Sequence, residues 1–205
     1  SRRATRVYAG GIAILQVCWL LLLALPGAPG QIAFIVLIGA ELAIPVIAER
    51  QGTTPWHPHH ITERYGLFTL ILLGESLLAS ANAVIEALHD DQALAPLISI
   101  AVLAVVVTAA LWWIYFWPPH HTAIRDLRST LRYGYVHYFV FAAAGAFSAG
   151  IEVEIDVLTG HSQLGDVAAS FTLTVPTAIF VLGIWWIAIR DNADRVVNVA
   201  LPLGA

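Results

Sequence analysis

The sequence contains no lysine and no methionine, and it has a single cysteine, Cys18. A lone cysteine cannot form a disulfide within the chain. The net charge is −4 and the isoelectric point is near 6.0. Nucleic-acid-binding proteins carry a basic face, so this charge balance predicts no nucleic acid among the partners. Because residue 1 is a serine and not a methionine, we expect the sequence to be part of a longer chain.

Charge of either sign is scarce. Only 12% of the residues are charged, 59% are hydrophobic, and the mean hydropathy is +0.76. In an ordinary soluble domain, by contrast, about a quarter of the residues are charged. Several apolar runs approach the ~20 residues that a helix needs to cross a bilayer. The sequence therefore predicts an all-α, polytopic transmembrane helix bundle that forms a single domain over residues 1–205, with six spans at about 7–25, 31–48, 64–85, 93–117, 131–151 and 167–189.

The positions of the ten arginines indicate how the bundle crosses the membrane. All of them lie at the two ends of the sequence or in the loops 49–64 and 118–132, whereas the loops 26–30, 86–93 and 152–166 contain none. Loops rich in arginine or lysine stay on the cytoplasmic side of a membrane. We therefore expect a multi-pass protein of the cytoplasmic membrane, with both ends of this sequence in the cytoplasm.

Glu75 is the strongest candidate for a functional residue, because it lies within the third apolar run. In a helix it would lie about 16 Å from Arg64 along the axis, near the middle of the membrane. The same helix would place six residues on one stripe: Arg64, Phe68, Ile71, Glu75, Leu78 and Asn82. Ionisable side chains inside a membrane usually serve function. The alternative is that Glu75 is protonated, or bonded to a neighbouring helix, and only specifies packing.

Glu41 and His137 are further ionisable residues within apolar runs. Pro45 follows Glu41 by one turn and leaves a backbone carbonyl without its usual donor, so a local structural role for Glu41 is an open alternative. A histidine titrates near neutral pH, which predicts that His137 accepts a proton from a carboxylate. Its alternative role is that of a neutral histidine bonded to a neighbouring helix.

Metal and cofactor chemistry find little support in the sequence. Five histidines lie in two loops, but their spacing matches no known closed metal site; they are His57, His59, His60, His120 and His121. The chain also lacks a phosphate-binding loop, a dinucleotide fingerprint and a defensible catalytic triad. We therefore assign no metal, no cofactor and no catalytic residue, and an enzyme is the weaker of the candidate functions.

Three stretches of the sequence resemble the bacterial low-temperature-requirement A (LtrA) family, in the family's order. They are the segment from His60 to Phe68 with Leu73-Gly74-Glu75-Ser76, the segment from Leu111 to Phe116, and Tyr135-Val136-His137-Tyr138 followed by Gly145 and Gly150-Ile151-Glu152. The resemblance implies a polytopic bacterial membrane protein connected with growth in the cold, of which this sequence is the C-terminal half. It also implies functional positions at Glu63, Arg64, Gly74, Glu75, Ser76, Tyr115 and His137.

The expected function is that of a proton-coupled or small-solute transporter. Intramembrane carboxylates and a histidine would line a polar path between helices, made of Glu75, Glu41, His137, Arg64, Glu63, Ser76, Tyr115 and Asn82. Two alternatives stay open: a structural or stress-response membrane protein without transport, and a membrane-embedded enzyme or redox partner. The expected partners are the lipid bilayer, the missing N-terminal half of the same protein and a second copy of the chain.

Overall fold

The computed structural model describes residues 2–52, 57–89, 94–191 and 193–205, and it describes residues 83, 84, 86–89 and 94 by their backbone only. In these ranges all regular secondary structure is helical, which confirms the all-α prediction. The helices are α1 (Arg2–Leu22), α2 (Ala28–Arg50), α3 (Pro58–His89), α4 (Leu94–Phe116), α5 (Leu127–Leu158), α6 (Asp166–Ile184) and α7 (Arg195–Gly204). A 3₁₀ turn, His120–Ala123, precedes α5, and a π turn, Trp185–Ile189, extends α6.

Six helices of the described chain are long and apolar enough to cross a membrane. These segments are Arg2–Leu22, Ala28–Arg50, Pro58–Asn82, Ala95–Phe116, Leu127–Leu158 and Asp166–Ile189. The prediction of six spans is therefore confirmed, with ends that differ by up to seven residues. Helix α7, with 10 residues in the stretch after the last span, was not predicted from the sequence.

The chain forms two compact units, Ser1–His57 and Pro58–Ala205. We call them the N-terminal hairpin, which contains α1 and α2, and the C-terminal bundle, which contains α3 to α7. The single domain expected over residues 1–205 stays a prediction.

Two side-chain hydrogen bonds join the helices of the N-terminal hairpin. The Tyr8 hydroxyl donates to Glu49 Oε1 at 3.2 Å, and the Trp19 indole N–H donates to Glu41 Oε2 at 3.2 Å. The Tyr8 contact pairs the start of α1 with the end of α2. The arginines at those two helix ends therefore lie at the same end of the hairpin.

Helix α5 is the centre of the C-terminal bundle, where it packs against α3, α4 and α6. It begins with a capping box: the Asp126 carboxylate accepts from the Ser129 N–H at 2.7 Å, and the Ser129 hydroxyl oxygen accepts from the Asp126 N–H at 2.9 Å. Its buried side chains recur along one side of the helix and include Tyr133, Val136, His137, Val140, Ala144 and Ile151. This recurrence at helical spacing fixes which side of α5 faces the other helices.

Asn198 connects α7 to the end of α6. Its side-chain oxygen accepts from the Trp185 indole N–H at 2.9 Å, and its amide group donates to the carbonyl oxygens of Arg190 at 2.9 Å and Ala193 at 3.2 Å. Arg190 takes part in both structures. Its N–H closes the π turn by bonding to the Trp185 carbonyl, and its own carbonyl accepts from Asn198.

Helices α5 and α6 approach most closely at two glycines. A Cβ on Gly150 would lie 2.8 Å from the carbonyl carbon of Thr172 and would collide with its oxygen, and a Cβ on Gly183 would lie 2.7 Å from Val140 Cγ2. Contact with backbone atoms leaves no flexible side chain that could give way at Gly150. Small residues allow this kind of close helix packing in membranes.

We predict that Gly150→Ala destabilises the bundle, because the added methyl group forces α5 and α6 apart. Overpacking of this kind costs about 1–3 kcal/mol. The melting temperature of the purified protein in detergent measures the effect. Gly145→Ala is the matched control, since a Cβ at Gly145 of the same helix would meet nothing within 4 Å. Equal melting temperatures for the two variants would contradict the prediction.

Candidate functional site

Six of the ten arginines lie at one end of the C-terminal bundle, where α3 and α5 begin and α4 and α6 finish. Tyr65 near the start of α3 packs edge-on against Tyr133 near the start of α5, with ring centroids 5.4 Å apart. The 3₁₀ turn after α4 also contacts the π turn after α6. We call this the arginine end; its arginines are Arg64, Arg125, Arg128, Arg132, Arg190 and Arg195.

A closed ring of hydrogen bonds lies buried at the arginine end. Tyr115 Oη lies 3.1 Å from His137 Nε2, and His137 Nδ1 lies 2.7 Å from the carbonyl oxygen of Tyr133. Tyr133 Oη lies 3.0 Å from His120 Nδ1, and His120 Nε2 lies 2.6 Å from the carbonyl oxygen of Tyr115. Each tyrosine therefore meets one histidine with its side chain and the other with its backbone. We call these four residues the His–Tyr ring.

The donors and acceptors of the His–Tyr ring follow from its two carbonyl groups. A carbonyl oxygen can only accept, so His137 Nδ1 and His120 Nε2 carry hydrogens and donate them. The other nitrogen of each neutral imidazole then accepts from a tyrosine hydroxyl. The pattern satisfies all four imidazole nitrogens and fixes one tautomer for each histidine.

Aromatic side chains surround the His–Tyr ring. Tyr65 of α3 lies with its centroid 4.6 Å from that of His137, and Phe141 lies 5.2 Å from His137. On the other side, Phe180 of α6 lies 6.3 Å from Tyr115. Tyr115, Tyr133 and His137 are each at most 1% exposed. The ring therefore joins α4, the 3₁₀ turn and α5 inside an apolar shell.

This geometry bears on the role expected for His137. Its two nitrogens are bonded to Tyr115 and to the Tyr133 carbonyl, and no carboxylate bonds to it within the described residues. A histidine whose lone pair and hydrogen are both engaged is a neutral structural link. The geometry thus favours the alternative in which His137 is bonded to a neighbouring helix.

The histidines that the sequence grouped together have different environments. His120 is buried in the His–Tyr ring, and burial lowers the pKa of its imidazole below the ordinary 6.5. His121, the next residue, stacks on His59 of α3 with ring centroids 4.2 Å apart. Of these two consecutive histidines, His120 therefore belongs to the interior and His121 is half-buried.

The stripe predicted on α3 exists, and it is the exposed face of that helix. Its six residues are all exposed, namely Arg64, Phe68, Ile71, Glu75, Leu78 and Asn82. The opposite face carries the buried residues Thr69, Leu73, Ser76 and Ser80, which pack within the bundle. Glu75 and Asn82 thus do not lie between the helices of the C-terminal bundle, where the expected polar path would need them. No hydrogen bond or ion pair of Glu75 is found in the described part of the chain.

The remaining residues of the expected path are dispersed. Glu63 is exposed near the start of α3, 3.8 Å from His60 Nδ1. Ser76 is completely buried, and its hydroxyl has no hydrogen-bond partner among the described residues. Glu41 belongs to the N-terminal hairpin, where Trp19 donates to it. Within the C-terminal bundle the structure brings together Tyr115 and His137 of the expected residues.

Tyr133 and His120 are parts of the site that were not predicted from the sequence. Tyr133 lies four residues before His137 on the same helix, so its backbone carbonyl is within reach of that imidazole. His120 directly follows two prolines in a loop, and it was grouped with the other loop histidines. The available signal was the short distance in sequence between His120 and Tyr115, because the turn after α4 brings the histidine ring back onto the tyrosine, with ring centroids 4.6 Å apart.

The fold defines the general class of the protein. Six apolar helices of membrane-spanning length identify it as an integral, multi-pass membrane protein. The chain belongs to the family described as bacterial low temperature requirement A protein (LtrA), whose model matches residues 1–205. No curated protein and no solved structure matches the chain.

We predict that Tyr115→Phe lowers the melting temperature in detergent, because it leaves a buried imidazole nitrogen without a partner. An unsatisfied buried polar group costs about 1–3 kcal/mol. Tyr133→Phe should act equally on His120, and the double variant should lose less than the sum, since both changes open the same ring. Tyr138→Phe is the control, because Tyr138 lies on α5, like Tyr133, but is 62% exposed. A Tyr115→Phe protein as stable as wild type would show that the ring adds no stability.

The lowered pKa of His120 predicts how stability depends on pH. The unfolded chain binds a proton near pH 6.5, whereas buried His120 resists it. The stabilisation that neutral His120 contributes is therefore complete above that pH. As the pH is lowered, the free energy of unfolding falls by up to about 1.4 kcal/mol per pH unit for one group. Melting temperatures between pH 8 and pH 5, about the range over which histidines titrate, measure the slope. His120→Gln should reduce the slope and His121→Gln should leave it as in wild type; equal slopes in both variants would contradict the assignment.

Proposed function

We propose that this LtrA-family protein is a membrane carrier for protons, or for a small solute coupled to protons, and that Glu75 is the group that takes up and releases the proton. The observation that supports the proposal is the position of Glu75 within a candidate span, on a face that the bundle leaves exposed. Within the described residues, no hydrogen bond or ion pair occupies this carboxyl group.

The membrane gives Glu75 few stable environments. A charged carboxylate near the middle of a membrane helix costs about 2.5–3.5 kcal/mol on insertion scales, and contact with acyl chains would leave it protonated. The exposed face of α3 therefore needs a polar surface opposite Glu75. We propose that further helices supply it, from the rest of a longer protein or from a second copy of the chain.

Three polar side chains mark the course of the proposed path along α3. Arg64 lies at the arginine end, Glu75 lies about 16 Å further along the axis, and Asn82 lies about 10 Å beyond Glu75. All three are exposed on the same stripe. Gly74 adds to the open character of this region, because a Cβ there would meet nothing within 4 Å. The stripe thus offers polar groups at its start, middle and end.

The buried residues of the expected site receive supporting roles in this proposal. Tyr115 and His137 belong to the His–Tyr ring, which holds the arginine ends of α4 and α5 together. Ser76 packs on the opposite side of α3, and Glu63 lies beside the path entrance near Arg64. In such a carrier the C-terminal bundle stays rigid. The proposed further helices then move across the exposed face of α3 that carries Glu75.

We further propose a bacterial cytoplasmic membrane location with the arginine end in the cytoplasm. All six arginines of the bundle share one end, as the positive-inside rule requires. Exposed tryptophans lie at the same end of α4, as in the aromatic belts of membrane interfaces: Trp112, Trp113 and Trp117. The lipid bilayer is then the partner of the apolar outer faces.

A structural role without transport is the second candidate, and Glu41 favours it. Its carboxylate accepts from the Trp19 indole at 3.2 Å and so links two helices of the hairpin. A carboxylate used in this way specifies packing and needs no flux. If Glu75 has an equivalent partner on another helix, the same function would apply to it.

The carrier proposal predicts that Glu75→Gln abolishes proton flux. The whole chain is reconstituted in liposomes that contain a trapped pH-sensitive dye, and a pH gradient is applied. We expect flux to fall to the level of protein-free liposomes, because glutamine cannot take up a proton. Glu75→Asp should retain part of the flux, since the titratable group is kept.

Asp191→Asn is the matched control, because Asp191 is an exposed carboxylate paired with Arg190 at 3.3 Å, at the arginine end and outside the stripe. Its flux should equal that of wild type. If folded Glu75→Gln transports as wild type does, the carrier proposal fails. If wild type has no flux and Glu75→Gln only melts earlier, the structural role is the correct one.

A further inference from the structure

A cavity of about 460 Å³ lies between α4, α5 and α6, away from the arginine end, and Gly204 and Ala205 at the end of α7 also line it. This volume is within the range of about 300–1,000 Å³ that small-molecule sites occupy. On α5 it reaches from Phe147 to Glu154, and Glu154 lies about 33 Å along the helix from Arg132. The cavity is therefore separate from the His–Tyr ring.

Most of the cavity wall is apolar. Leu103 of α4, Phe147 and Ile151 of α5, and Leu173 of α6 line it. Phe147 and Ile151 are buried, so this part of the wall belongs to the packed interior of the bundle. Such a wall fits an aliphatic chain, whose burial is favourable by about 0.8 kcal/mol per CH₂ group.

The hydroxyl groups in the wall present acceptors. Ser170, Thr174 and Thr177 donate their hydrogens to carbonyl oxygens of their own helix, at 2.9, 2.9 and 2.7 Å. Their oxygen lone pairs remain for a ligand. The described side chains that line the cavity thus offer oxygen acceptors and no free N–H or O–H donor.

Glu154 is the charged residue of the cavity, and it lies far along the bundle from the arginines. The sequence has no lysine, and the arginines of the bundle are at the opposite end. The ionisable residues on its own side of the bundle, among those that the structure describes, are Glu152, Asp156, His161 and Asp166, and the His161 backbone N–H bonds to the Asp156 carbonyl. No ion pair of Glu154 occurs within the described residues. Among the described residues, this half-buried carboxylate therefore has no counter-ion.

We propose that this cavity binds a molecule that joins an aliphatic chain to a protonated amine. The ammonium group donates to Glu154 and to the hydroxyl oxygen of Ser170, and the chain lies against the apolar wall. An ammonium group carries three donors and no acceptor, which matches a lining made of acceptors. The same chemistry occurs in a free alkylamine and in an aminolipid head group. The site is independent of the proton path proposed for Glu75, and its test measures binding and not flux.

Octylamine is the probe and octanol is the control of equal chain length without charge. The whole chain in a maltoside detergent is melted at increasing concentrations of each. A ligand that binds the folded state raises the melting temperature. We expect octylamine to do so at concentrations about tenfold lower than octanol, because a charge-assisted hydrogen bond adds to the burial of the chain.

Two variants locate the effect. Glu154→Gln should remove the advantage of octylamine over octanol, whereas Glu152→Gln, which removes an exposed carboxylate two residues earlier, should keep it. Leu103→Trp fills the cavity and should weaken both probes while the charge stays. Equal responses to octylamine and octanol in wild type, or equal loss in Glu152→Gln and Glu154→Gln, would overturn the proposal.

Native mass spectrometry of protein extracted from membranes rich in phosphatidylethanolamine distinguishes the two sources. Retention of phosphatidylethanolamine by wild type and its loss in Glu154→Gln would identify the lipid head group as the ligand. Octylamine binding without retained phosphatidylethanolamine would identify a free amine. The absence of both would refute the site.

Discussion

The interior of a membrane helix bundle contains no bulk water, so each buried polar group must find its partner within the protein. The His–Tyr ring meets this requirement by exchange: Tyr115 bonds to His137, which bonds to the Tyr133 backbone, and Tyr133 bonds to His120, which bonds to the Tyr115 backbone. Four polar side chains thereby become as compatible with burial as the surrounding Phe and Tyr rings. The arginine ends of α4 and α5 are held by this closed set of bonds.

The same requirement divides the rest of the molecule. Small hydroxyl side chains, such as Thr174 and Thr177, satisfy themselves on their own helix. Glu75 and Glu154 are too strongly polar for this solution, and each lies where the bundle does not enclose it completely. The two carboxylates therefore occupy different surfaces: Glu75 the exposed face of α3, and Glu154 the edge of an apolar cavity. The proposed proton path and the proposed amine site follow from these separate positions.

Much of the architecture was predictable because it depends on local properties. Run length and hydropathy predicted six spans whose ends are within seven residues of those observed. Helix α7 was not predicted because it is short and because its position depends on the hydrogen bonds of Asn198 with Trp185 and Arg190. The place of His120 in the His–Tyr ring was not predicted for a related reason. Its partners, Tyr115 and Tyr133, are supplied by α4 and α5, and no spacing within the loop reveals that these helix ends meet.

The sequence by itself determined the class of the protein, the number of candidate spans and which of the loops carry arginine. It also determined the grouping of Glu75 with Arg64 and Asn82 on one stripe. These follow from hydropathy, charge and the 3.6-residue period, which relate residues of the same helix. Only the tertiary structure decided that the stripe is the exposed face of α3 and that His137 bonds to Tyr115. The rotation of a helix about its own axis is set by packing against helices distant in sequence, and apolar residues on every side of a membrane helix leave that rotation undetermined by pattern alone.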